Sequence, residues 1–125
     1  MLESVGRPLL GFQSFTPDRW IEDGDEIVTW GGLRAVHLPG HTEGHTGYYC
    51  AARKLLFCGD LFASVGRWSH FPPVILNSNP EMMAESVRKA LSLDLAGVIP
   101  NHADAAEPEE HLRRLRELAA RLRPA

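Results

Sequence analysis

Residues 36–49 read VHLPGHTEGHTGYY. An apolar alternating run meets a Pro-Gly break, and two histidines follow four residues apart, each with a threonine behind it. The chain has 6 histidines in all, so His41 and His45 in one loop are a concentration worth explaining. Imidazoles at a sharp break after a strand are candidate metal ligands, provided the rest of a ligand set comes to the same place.

Working outward, Ile27, Val28 and Trp30, a Gly31-Gly32 turn, then Leu33, Ala35, Val36 and Leu38 predict a first β-hairpin. GYYCA and KLLFCG predict a second strand pair around Ala52-Arg53-Lys54, with Cys50 facing Leu55. Tyr48 and Cys50 fall on one side and Tyr49 and Ala51 on the other; a strand apolar on both faces belongs to a sheet covered on both sides. Residues 61–79 read as a long loop rich in aromatics, Gly and Pro. Asn79 suits an N-cap and Pro80 a first helical residue, and Met83, Val87, Ala90 and Leu91 mark an amphipathic helix to about Leu93. AGVIP predicts a short buried strand ended by Pro100, with NHAD as the turn after it. In the last segment, EPEEHLRRLRELAARLR, acids start a helix, arginines end it, and Leu112, Leu115, Leu118 and Leu122 form its apolar stripe; His111 is assigned to solvent. Hairpin, hairpin, helix, strand, helix is the order of an α/β or α+β fold with helices on at least one sheet face. One domain over 1–125 is expected, with an irregular lead-in over 1–24 and a core over 25–122.

The composition, 44% hydrophobic and 23% charged with net charge −3, is that of a globular domain. It argues against nucleic acid or an anionic membrane as partner, since both favour a basic surface. The opening MLESVGRPLLGF lacks an apolar h-region and no run approaches a membrane span, so a cytoplasmic protein without a secretory leader is expected. Two cysteines cannot make a disulfide framework; reduced thiols are the expectation.

Three polar residues share one context. His41 follows VHLPG, Asp60 follows KLLFCG and His102 follows GVIPN, each just past an apolar strand, where α/β folds usually build their sites. Imidazole and carboxylate together suit zinc or a similar divalent ion, and hydrolytic sites use such ions to acidify water. LPGHTEGHTGYY resembles the third metal motif of the metallo-beta-lactamase superfamily, LLFCGDLF is similar to its fourth, and VIPNHAD to its fifth, with Asn101 where glycine is common. IEDGDEI fits the usual approach to the third motif. The resemblance covers about residues 20–105, with the ligand positions in order at 41, 60 and 102. It implies a zinc, iron or manganese site in which His41 ligates a first ion, Asp60 bridges two, and His102 ligates the second. The activity it implies is hydrolysis of a small ester, thioester, lactone or related substrate, as in glyoxalase II-like and lactonase-like members.

One departure matters. The family's first motif, His-x-His-x-Asp-His, has no counterpart here, because no histidine precedes His37. The resemblance is therefore to the C-terminal half of an αββα sandwich, a sheet with helices on one face. Even a catalytic zinc takes about three protein ligands plus water, so weak or no metal binding is expected of an isolated chain. A bare inner sheet face would also want covering, by a separate N-terminal half or by a second copy in a homodimer. The alternative is a non-catalytic dimerising or binding half-domain of the same fold, or a truncated piece. His45 is expected to hydrogen-bond the loop or line the pocket. His70, in the aromatic loop, is a candidate pocket residue whose plainer reading is a surface histidine. His37 is expected to be a packed or edge histidine.

Overall fold

The computed structural model describes residues 14–122; the remainder of the expected lead-in, residues 1–13, lies outside the described residues. Residues 14–24 form no helix or strand. A single mixed sheet follows, in the order β1 (Glu26–Ile27), β2 (Leu33–His37), β3 (Thr46–Cys50), β4 (Leu55–Ser64) and β5 (Gly97–Ala103). The first three junctions are antiparallel and β4 pairs parallel with β5. Helix α1 spans Pro80–Leu91, between β4 and β5, and α2 spans Pro108–Ala119. Asn79 does cap α1, its side chain accepting the Met82 N–H at 3.3 Å.

Hairpin register follows the expected alternation, with Cys50 opposite Leu55 and Tyr48 opposite Phe57. Val36, Leu38, Tyr49, Leu56, Cys58 and Val98 on one sheet face meet Met83, Val87 and Ala90 of α1 and Leu112 and Leu115 of α2. Burial of these side chains is the main force holding helices to sheet. Both cysteines are free and buried, and burial pushes the Cys58 thiol up to about 12, so it stays protonated at neutral pH. Among the described residues no helix packs on the second face. Leu33, Tyr48, Leu55, Phe57 and Ile99 are half-buried there, and Trp30 folds over Phe57 edge to face at 5.3 Å between ring centroids.

Four expectations need correction. β1 is only two residues long, and Val28 is fully exposed; Trp30 adopts φ +55°, which takes the chain out of the strand before the glycine turn. β4 does not stop before Asp60: it runs on to Ser64, through register shifts around Gly59. Pro100 does not end β5, which continues through Asn101 and His102 to Ala103. β5 is the outer strand of the described sheet, where a residue without an N–H is tolerated. Finally, His111 is 4% exposed, and its Nδ1 lies 2.6 Å from the hydroxyl of the buried Ser64. Its place is available in the sequence, since 111, 115, 118 and 122 keep a helical spacing that sets it on the apolar stripe despite its charged neighbours.

Candidate functional site

Gly59 sets the geometry. Its φ of +56° is left-handed, and a Cβ there would lie 2.7 Å from His45 Nε2, so glycine is needed both for the turn and for the space. The irregularity it makes in β4 is a bulge of the kind that re-aims the next side chain, and that side chain is Asp60. His45 fixes the result: the Asp60 N–H donates to its Nε2 at 3.0 Å, while its Nδ1–H donates to the Leu38 carbonyl at 2.7 Å. Both ring nitrogens of His45 are thus engaged by backbone. It holds the carboxylate-bearing strand against the end of β2 and does not face the cleft.

His41 arrives by a different route. The Pro39-Gly40 break is buttressed by α1: Ser86 Oγ donates to the Pro39 carbonyl at 2.6 Å, and the Asn79 N–H donates to the Gly40 carbonyl at 2.9 Å. Gly40 has φ +141°, and a Cβ there would meet the Met83 side chain and backbone under 3.0 Å. With the backbone clamped, His41 Nε2 lies 3.9 Å from Asp60 Oδ2. From β5, His102 Nε2 lies 3.3 Å from Asp60 Oδ1, and Asn101 Nδ2 donates to that same oxygen at 3.3 Å. Asp60 is therefore flanked on both oxygens. Its side chain is 31% exposed, that of His41 25%, and that of His102 76%.

These donors border a cleft of about 370 Å³, completed by Phe62, Ala63, Val65, His70, Pro72 and Pro73. His41, Asp60 and His102 come together; His70 lines the same cleft, though its Nδ1–H donates to the Trp68 carbonyl at 2.8 Å. His37 stands apart, its Nε2 2.7 Å from the Glu43 carbonyl. Arg67 lies over the exposed ring of Trp68, 4.9 Å from its centroid, away from the cleft lining.

In kind, one carboxylate between two imidazoles fits a borderline divalent ion. Ligand atoms on a tetrahedral ion sit about 3.3–3.4 Å apart. The His102–Asp60 approach of 3.3 Å matches that spacing and the His41–Asp60 approach of 3.9 Å exceeds it. Among the described residues no three of His, Cys, Asp and Glu form a group that could hold an ion. The arrangement is two pairwise approaches sharing Asp60, short of a full ligand set on either side.

Four residues beyond Asp60, a second polar cluster closes the same strand. Ser64 meets His111, and Arg114 donates to Ser64 Oγ at 3.1 Å and to both Asp104 oxygens at 3.0 Å. Asp104 also accepts the Gly66 and Ala106 N–H groups, and the Arg114 guanidinium above all holds its carboxyl below the usual range. Sequence reasoning missed this cluster, and it missed Asn77, whose Oδ1 lies 3.2 Å from His41 Nδ1; no motif spacing marks a loop asparagine as a histidine's partner.

A family model described as the metallo-beta-lactamase superfamily matches residues 4–102. The chain is 37% identical over 115 residues to the hydroxyacylglutathione hydrolase of Vibrio campbellii, covering 82% of this chain and 43% of that one. Against the corresponding enzyme of Aeromonas hydrophila the identity is 48% over 50 residues, 38% of this chain and 18% of the relative. Against hydroxyacylglutathione hydrolase GloC of Haemophilus influenzae it is 34% over 87 residues, 66% and 39% of the two chains. The chain spans less than half the length of these curated relatives. Among solved structures, an archaeal metallo-beta-lactamase superfamily protein from Sulfolobus tokodaii superposes with TM-score 0.63 at 21% identity, covering 93% of this chain and 46% of that one. TTHA1623, solved in a di-iron-bound form, gives TM-score 0.61 at 25% identity, covering 87% and 54%.

Proposed function

The chain belongs to the metallo-beta-lactamase superfamily, and from that premise we propose that it supplies one side of a metal-dependent hydrolytic site acting on thioester or related ester substrates. The observation that carries the reading is the convergence of His41 Nε2 and His102 Nε2 on the two oxygens of Asp60 at one cleft. In this reading His41, Asp60 and His102 are the residues of this chain that would hold divalent metal. A divalent ion bound there supplies Lewis-acid chemistry. The apolar side chains of Phe62, Val65, Pro72 and Pro73 in the cleft wall give an acyl group a surface to lie on. The thioester preference is supported by the hydroxyacylglutathione hydrolases among the relatives.

The remaining ligands, in this proposal, come from a segment carrying His-x-His-x-Asp-His, on another polypeptide or in a longer native chain, and the half-buried second sheet face, with Phe57, Tyr48 and Trp30, is where that segment or a second copy packs. The experiment has two stages. Dialysed protein alone is expected to retain less than one zinc ion per chain by elemental analysis, and light scattering is expected to find an assembly larger than a monomer. Reconstituted with the motif-bearing polypeptide, it is expected to take up metal and hydrolyse an S-acyl thioester panel, with Asp60→Ala and His41→Ala abolishing both. Turnover unchanged in both variants sinks the assignment. Neither metal uptake nor turnover in the complex favours the non-catalytic binding module instead.

A further inference from the structure

Neutral imidazole has one donor nitrogen and one acceptor, and the partner of one decides the role of the other. For His41 that partner is Asn77. The Asn77 amide is itself oriented: its Nδ2 donates to the Pro72 carbonyl at 3.1 Å. A carbonyl oxygen accepts only, so the NH₂ end must face Pro72 and the amide oxygen must face His41 Nδ1 at 3.2 Å. Nδ1 therefore carries the hydrogen, and Nε2, the atom facing Asp60, keeps its lone pair.

That outcome runs against local electrostatics. A ring beside the Asp60 carboxylate gains by turning an N–H toward it and loses by turning a lone pair toward it. Something has to oppose that tendency, and the loop before α1 is built to do so. The Ser78 N–H donates to the His41 carbonyl at 3.2 Å and the Asn79 N–H to the Gly40 carbonyl at 2.9 Å, so the histidine and the asparagine are clamped on one piece of backbone. We propose that Asn77 is a positioning residue that holds His41 in the Nδ1–H tautomer and so presents Nε2 to the site as an electron-pair donor. The proposal rests on the reading of His41 as a metal ligand, and outer partners of this kind orient ligating histidines generally.

The test reads the tautomer directly. Long-range ¹H–¹⁵N correlation spectra of histidine-labelled protein are recorded about two units above the ordinary imidazole value of ~6.5. The wild-type protein is expected to show His41 protonated on Nδ1. Asn77→Ala is expected to move the proton to Nε2, while Asn77→Asp, whose carboxylate still accepts from Nδ1–H, is expected to keep it on Nδ1. In the complex reconstituted with the motif-bearing segment, a zinc titration followed in the same spectra is expected to weaken by about 10–100-fold in Asn77→Ala, with Asn77→Asp nearer wild type. His41 protonated on Nε2 in the wild type, or on Nδ1 in Asn77→Ala, overturns the proposal, as does equal zinc affinity in the alanine variant. His41→Ala binding zinc as tightly as wild type would instead overturn the ligand reading and leave the tautomer result to stand by itself.

Discussion

Two polar clusters lie four residues apart on β4, each pairing histidine with a carboxylate nearby, and they are built to opposite ends. Around Ser64, His111, Arg114 and Asp104, the groups named find partners inside the protein, two of them buried, with one carboxylate accepting from both an arginine and backbone N–H groups. Around Asp60, the contacts are fewer and longer, and His102 stands largely in solvent. A polar group whose partners are all internal stabilises a unique packing; one whose lone pairs point into a cleft is free to bind something else. The difference teaches that nearness of His to Asp is a poor guide to function, whereas bordering a cleft is a better one. His45 makes the point within a single loop, since both its nitrogens are engaged and it acts as a brace.

The largest test of this comparison is His45→Ala. It removes the acceptor of the Asp60 N–H and the donor to the Leu38 carbonyl together, so metal affinity in the reconstituted complex is expected to fall about 10–100-fold and stability by about 1–3 kcal/mol. Zinc titration and urea unfolding measure the two effects; metal affinity unchanged beside a loss of stability would mean that the brace has no bearing on Asp60. Next in size is His111→Ala in the closed cluster, expected to cost about 1–3 kcal/mol by leaving the buried Ser64 hydroxyl with Arg114 as its remaining partner while leaving zinc binding as it was. A loss of metal affinity there would erase the distinction between the clusters.

The smallest effect concerns acid. Asp104 is held below its ordinary value of 3.8, first by Arg114, and Glu110 is held down to about 2, first by Arg113. A carboxylate with a depressed folded-state value contributes stability above its unfolded value, and that contribution is lost as pH falls through the folded one. Melting temperature is therefore expected to drop modestly as pH falls from about 4 toward about 2, because exposed ion pairs contribute little. Asp104→Asn should flatten that slope. An identical acid limb in the variant would show the Arg114 contact to be without thermodynamic effect.

Much of the arrangement was legible in the chain. Alternation in VHLPG, GYYCA and KLLFC gave the hairpin register because one face of each strand had a core to enter, and Asn79-Pro80 gave the start of α1 because capping is local chemistry. The triad of positions 41, 60 and 102 was legible as motif spelling, and the fold carries all three to one cleft. What escaped was what backbone irregularity decides. Neither the bulge at Gly59 nor the continuation of β5 through Pro100 follows from propensity, since both depend on which strand lies alongside. Asn77 escaped because its role exists only when Pro72 and His41 are near it in space.

Gly59 sits in β4 between the side chains that fill the interior and the carboxylate that faces the cleft. Exchanges upstream, at Leu56 or Cys58, alter what fraction of the molecules is folded. Downstream, Leu61 and Phe62 return to the same interior, and Asp60, just past the glycine, is the position turned to the cleft. One strand therefore serves the interior on both sides of that residue and the chemistry at the position just past it, with a hydrogen atom in place of a side chain as the hinge.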